Sequence, residues 1–347
     1  MDNLANCSLS ARMRQPPRWH YAVMVAWALI CAGLLVRMAV QTNFTLGPEE
    51  DIRYIFQEGQ GILRGENPYA RITAGNMERN HKYATYLPGI YLLAAGFEAM
   101  GLGDFDRWLL VWRGVSVVFW AGIGVLVFAL VYGPRGRLAT ALLASGLWLF
   151  NRWSLHVLVI AHTDFVALFF FVLCVMLLER WPRWAWLALG VSLSIKHIAI
   201  LAVPVLLVAQ WQGTPPERRR GAMAWAVGAM AAVPLVVSLP YLIAAPYAFV
   251  KTMLFSFTRD AMVHYHLLSV DVALDWEDHL SRIPMLLAVG TATWLVARRQ
   301  VGLVAGVFLV MAGFVWFNSV FFLQYIVWAI PFALVMALTE REEKKTT

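Results

Sequence analysis

The stretch Gly47–Tyr69, GPEEDIRYIFQEGQGILRGENPY, opens with three consecutive carboxylates, Glu49, Glu50 and Asp51. An apolar-periodic segment follows (Ile52, Ile55, Phe56, then Ile62 and Leu63), and the stretch closes on Gly65 and Asn67-Pro68-Tyr69. Polar groups with matching chemistry recur far along the chain: His162 and Asp164, Lys196-His197, Lys251, Arg259, His264 and His266, and Asn318, Gln324 and Tyr325. Carboxylates beside cationic groups suit one chemistry well. A carboxylate takes the proton from a hydroxyl nucleophile, and Lys, Arg or His stabilises a departing phosphate.

Each of these residues also has a plainer role. Asp51 is placed to cap a helix beginning at Ile52, since Asp is a favoured N-cap. Lys196-His197 reads equally as a solvated hairpin tip. His264 and His266, which flank Tyr265, suit an ordinary solvated loop, and His162 with Asp164 can hold neighbouring helices together. Gln324 and Tyr325 fit packing or acceptor contacts better than chemistry.

The elements that must position these groups follow from composition. The chain has 347 residues, 60% hydrophobic and 14% charged, with a mean hydropathy of +0.63. A soluble domain is nearer half apolar and a quarter charged. Apolar runs of roughly 17–25 residues recur, the length needed to cross ~30 Å of hydrocarbon as helix. The alternating pattern of a transmembrane barrel is absent from the sequence. The expected class is therefore all-α and polytopic, in one integral-membrane domain over 1–347. The net charge of +7 and pI near 9.5 speak first of topology and anionic lipid rather than nucleic acid. The three cysteines lie at Cys7, Cys31 and Cys174 and form neither a disulfide pattern nor a zinc motif. Tryptophan and phenylalanine, 16 and 20 residues, are expected mostly in an interfacial belt and on lipid-facing surfaces.

Basic flanks orient the spans. Arg12, Arg14 and Arg18 keep the tail 1–18 inside, and span 1 (Trp19–Val40) exits to a first outer loop over 41–107. There Tyr86–Met100, short and carrying Pro88, Gly89 and Glu98, reads as a helix in the outer interface. The next spans are Trp108–Tyr132, Leu138–Phe150 and Phe165–Leu178. Trp184–Trp211 begins and ends at basic flanks, so it must double back as two short helices with its tip at Lys196-His197. Ala222–Leu242 leads to a second outer loop over 243–282. Ile283–Ala297, Val301–Phe317 and Phe321–Leu338 follow, and 339–347 is an inner tail. This makes about ten spans with both termini inside, every short inner loop carrying at least two Lys or Arg. The unusual polar groups then share the outer face, and no P-loop or Gly-rich dinucleotide motif is present.

In this layout the chain resembles the GT-C superfamily of integral-membrane glycosyltransferases, particularly polyprenyl-phosphate-sugar-dependent mannosyltransferases. The resemblance is specific at four places: GPEEDIRY after span 1; GILRGENPY with KYATYLPG downstream; SIKHIAILAVP at the hairpin tip; and FFLQYIVWAIP in the last span. It implies a GT-C-like fold with juxtamembrane helices in the first outer loop, and an inverting transfer of a monosaccharide, by family mannose, on the extracytoplasmic face. The partners it implies are a polyprenyl-phosphate-linked sugar, a lipid or glycan acceptor and membrane lipids, with no nucleic acid. The family's presumed base matches Asp51 by position, with Glu50 second. Lys196, His197, Arg259 and His264 would meet the donor phosphate, and Tyr69, His162, Asp164, Gln324 and Tyr325 the sugar or acceptor. The acidic run is Glu-Glu-Asp rather than Asp-x-Asp, so no residues are assigned to a divalent metal. Two other classes stay open on the residues alone: a transporter or lipid-handling protein without covalent chemistry, and a scaffold subunit of a membrane assembly.

Overall fold

The computed structural model describes residues 50–73, 84–135, 137–255, 270–274, 282–318 and 320–340, together with 19–20, 22–27, 29–30 and 33. Among these residues the structure is all-helical, with no strand. Fourteen α-helices run in order: α1 (Glu50–Leu63), α2 (Gly89–Ala99), α3 (Phe105–Arg135), α4 (Leu138–Leu149), α5 (Arg152–Val159), α6 (Asp164–Leu177), α7 (Pro182–Ile195), α8 (Val203–Gly213), α9 (Arg219–Ala244), α10 (Pro246–Met253), α11 (Val270–Ala273), α12 (Ile283–Ala297), α13 (Leu303–Phe317) and α14 (Ile330–Glu340). Short 3₁₀ turns at His197–Ala202 and Leu323–Trp328 lead into α8 and α14.

Two segments, Phe105–Gly133 and Pro216–Ala244, are long and apolar enough to cross a membrane. Seven shorter apolar helices accompany them. At 1.5 Å per residue these shorter helices, none above 17 residues, reach ~26 Å at most, somewhat less than the ~30 Å of a typical hydrocarbon core. Half of span 1 as expected from the sequence lies outside the described residues, as do 41–49 and 74–83 of the first outer loop and 256–269 and 275–281 of the second.

The short helices are short because the chain breaks them at defined points. Lys196 adopts an extended conformation (φ −152°, ψ 120°) between α7 and the turn His197–Ala202. Past this break the chain turns back, and near the end of α8 Gln210 Oε1 accepts from the indole of Trp186, near the start of α7, at 3.5 Å. The expected doubling back with its tip at Lys196 is present. Helix α2, with 11 residues, packs on α1 and comes so close to the tip that a Cβ on Gly89 would lie 2.6 Å from the Ser194 carbonyl oxygen.

The tryptophans divide rather than collecting at the surface. Trp108, Trp112, Trp120, Trp148, Trp186 and Trp328 are fully buried; Trp108 stacks on Trp112, and Trp148 donates to the Trp120 carbonyl at 2.9 Å. The expectation of a mostly peripheral role is corrected for these six: a large ring fills the gaps between short helices. Exposed Trp181, Trp184, Trp211, Trp225 and Trp294 lie instead at the opposite end of the α7–α8 hairpin from its tip. Four arginines stand over tryptophan rings there: Arg180 over Trp181, Arg183 over Trp225, Arg219 over Trp211 and Arg298 over Trp294.

Candidate functional site

The hairpin tip is where distant charges meet. Three local structures bring them there. Helix α1 buries Ile52, Ile55 and Phe56 on one face, with the Phe56 ring against Phe105 and Trp108 at 5.3 and 5.5 Å. That anchoring leaves Asp51, in the first turn of α1, on the rim of the bundle with its side chain 30% exposed. Asp51 lies inside the helix Glu50–Leu63, so the capping role at a helix starting with Ile52 is not what the structure has.

The second local structure is the connection from α5 to α6. Asn151 caps α5 by accepting from the Trp153 and Ser154 amides. Ala161 then takes a left-handed conformation, φ 58°, which an L-residue adopts only at a cost. The Trp112 indole holds it by donating to the Ala161 carbonyl at 2.7 Å. This reversal sends both His162 and Asp164 toward the tip. The third is the break at Lys196, which frees its side chain from a helical face.

Asp164 is the hub. Lys196 Nζ donates to its two carboxylate oxygens at 2.9 Å each, the Trp328 indole donates to Oδ1 at 2.5 Å, and His162 Nδ1 bonds Oδ2. His162 Nε2 faces outward to Asp51 Oδ2 at 3.6 Å. The rings of Tyr86 and Tyr325 each lie 5.5 Å from the Lys196 ammonium. Asp164, Lys196 and His162 are buried, so each charge is paired, as the cost of desolvating a lone ion requires. With His162 protonated, two carboxylates balance two cations. His162 lies in the connection ahead of α6. Burial, and secondarily the Lys196 ammonium, disfavour its charged form, but the carboxylates of Asp164 and Asp51 outweigh them and hold it above its ordinary value, at about 9.

The remaining expected site residues fall in different places. Lys196 is in the cluster but committed to a carboxylate. His197 opens the 3₁₀ turn beyond it, partly buried, with Nδ1 lacking a hydrogen-bond partner. Tyr325 covers Lys196, and neighbouring Gln324 is buried. Tyr69 is buried one layer behind: its hydroxyl donates to the Tyr86 carbonyl at 2.9 Å and its ring meets Phe249 at 4.9 Å, so it supports the wall of the site. Glu50 begins α1. Arg259 and His264 lie outside the described residues. Sequence reasoning missed Tyr86 and Trp328 as members of the cluster, although both stand in stretches singled out for other reasons, KYATYLPG and FFLQYIVWAIP. Nothing in their neighbours' types signals that one ring caps a lysine and the other donates to Asp164.

Among the described residues no three His, Cys, Asp or Glu groups are placed to hold a metal ion; in the cluster, the Asp164 oxygens already accept from Lys196, His162 and Trp328. The partly exposed oxygen atoms belong to Asp51. The arrangement can therefore present one carboxylate to a hydroxyl, oriented by an imidazolium that a second, buried carboxylate holds in place. No known protein family, curated protein or solved structure matches the chain.

Proposed function

We propose that the protein is an inverting glycosyltransferase of GT-C type. It would move a monosaccharide, mannose by resemblance, from a polyprenyl-phosphate donor to a lipid or glycan hydroxyl on the extracytoplasmic face of a membrane that it crosses about ten times. The single observation that supports this most is the placement of Asp51, half-open to the surface and 3.6 Å from His162, above a fully paired buried cluster.

In the reaction the acceptor hydroxyl gives its proton to Asp51 as its oxygen attacks the sugar C1 from the side opposite the phosphate. The C1–O bond to phosphate breaks, both electrons leave with that oxygen, and polyprenyl phosphate departs. His162 orients the Asp51 carboxylate and, through Asp164, is itself held in register, so no reorganisation is needed when the proton moves. Lys196 neutralises Asp164 and is a positioning residue in this reading. His197, Arg259 and His264 are assigned to the donor phosphate, and Gln324 and Tyr325 to the acceptor side. The test is transfer from labelled polyprenyl-phosphate mannose to a panel of acceptors by purified protein, with Asp51→Asn as comparison.

A second reading has one observation in its favour. A helix pair broken beside a buried ion pair, as at Lys196, is also how transporters build midplane sites. It predicts ligand binding and movement with no labelled product, which the same assay separates.

A further inference from the structure

At the end of the bundle remote from Asp51, a cleft of about 570 Å³ opens between α8, the start of α9 and the end of α12. Its walls include Leu207, Val208 and Met223 on one side of its chemistry, and Trp211, Arg219 and Arg299 on the other. We propose that this cleft is a binding site for an anionic phospholipid, its phosphate between Arg219 and Arg299 and an acyl chain along Leu207, Val208 and Met223. The inference rests on the membrane-spanning reading above, and not on the sugar-transfer chemistry.

Four observations carry it. First, the two guanidinium groups come from separate elements and converge on one cleft, the arrangement that reads a phosphate with more than one hydrogen bond. Among the described residues no carboxylate pairs with either of them. Arg219 is held in place by its Nε donating to the Thr214 carbonyl at 3.1 Å and by its position 5.2 Å over the Trp211 ring, which leaves most of its five donors unused. Second, Arg299 occupies a left-handed position, φ 56°. Its amide donates to the Val296 carbonyl and that of Gln300 to the Leu295 carbonyl, both at 2.9 Å. This is a helix C-terminal turn that glycine normally fills, so an arginine here sits in a conformation its backbone disfavours and projects from the turn into the cleft wall. Third, the cleft is pre-formed: Gln212 Nε2 donates to the Ala297 carbonyl at 2.8 Å, tying α8 to the end of α12. Fourth, the cleft lies at the end where arginines stand over exposed tryptophans, the composition of a membrane–water boundary facing anionic lipid. A free phosphate would use the arginines and leave the apolar wall idle; a phospholipid uses both.

The test is delipidation of the purified full-length protein in detergent, followed by titration with phosphatidylglycerol, phosphatidylcholine or inorganic phosphate and readout by native mass spectrometry and thermal shift. The expected result is tighter binding of phosphatidylglycerol than phosphatidylcholine by about tenfold or more, with no effect of inorganic phosphate. Arg219→Gln combined with Arg299→Gln abolishes the preference, while Arg220→Gln, exposed and outside the cleft, leaves it intact. Arg299→Gly suits the left-handed backbone and so folds, yet weakens the preference. Equal binding of the two lipids, survival of the preference in the double variant, or equal competition by inorganic phosphate overturns the proposal. Release of the protein from cells without detergent would overturn the membrane reading itself. Asp51→Asn is expected to bind lipid normally, so failure of sugar transfer leaves this inference standing.

Discussion

The two polar ends of the helical bundle handle charge in opposite ways. At the hairpin tip, Asp51, His162, Asp164 and Lys196 form one chain of ion pairs, three of the four groups being buried. At the other end Arg180, Arg183, Arg219 and Arg298 stay near the surface, each above a tryptophan ring. The non-glycine residues with positive φ among those described, Ala161 and Arg299, fall one at each end. At the tip the strained residue is apolar and aims two neighbours inward. At the arginine end the strained residue is itself the charged group. Burial compels pairing, so the tip is built to hold a fixed arrangement; exposure does not, so the arginine end keeps donors available to a ligand.

The comparison is broken most severely by removing one charge at the tip. Lys196→Met leaves Asp164 without its main partner in a buried setting and is expected to lower stability by about 3–5 kcal/mol, read as thermal unfolding in detergent. Arg298→Gln at the other end should leave the unfolding transition unchanged. If both variants behave alike, the contrast between the ends is wrong.

The next effect concerns how the tip is clamped. Gly89→Ala places a methyl group 2.6 Å from the Ser194 carbonyl oxygen, which neither backbone can vacate cheaply, and about 1–3 kcal/mol of stability is expected to be lost. Gly290→Ala, where nothing lies within 4 Å, serves as the matched control on α12.

A smaller and more informative effect is that of pH. His162 is held at about 9 in the fold against an ordinary 6.5. The folded state therefore keeps a proton that the unfolded chain releases, so this contribution to stability is complete below about pH 6.5 and fades as pH rises through about 9. His162→Asn should flatten the unfolding temperature over that interval. Glu98 on α2 adds a separate slope: burial raises its carboxyl from 4.5 to about 7, so stability falls between those values as pH rises, and Glu98→Gln removes that fall. Were His162→Asn to leave the alkaline slope in place, the cluster would not be the titrating element.

How much of this was legible in the sequence depends on whether periodicity or distance sets the feature. The helical class, the doubling back at Lys196 and the helix after Pro88 follow from apolar period, basic flanks and breaking residues, which act locally. The meeting of Asp51 with His162 does not, because residues 111 positions apart are brought together by packing, and only their types hinted at it. Asp164 as a hub was hidden for the same reason. With His162 it reads as a pair that holds neighbouring helices together, and the lysine and tryptophan that satisfy it lie 32 and 164 residues away. Tyr69 illustrates the reverse error: a tyrosine in an Asn-Pro-Tyr turn reads as an accessible contact, whereas Tyr241 and Phe249 enclose it.

The central claim is that Asp51 takes the acceptor's proton in a sugar transfer. Its most direct test is the initial rate of transfer from labelled polyprenyl-phosphate mannose by wild-type protein and by Asp51→Asn, with unfolding temperatures measured alongside. The account predicts labelled product from the wild type and a loss of about 10²–10⁴-fold in the variant at unchanged stability. Wild-type turnover by a folded Asp51→Asn protein would contradict it.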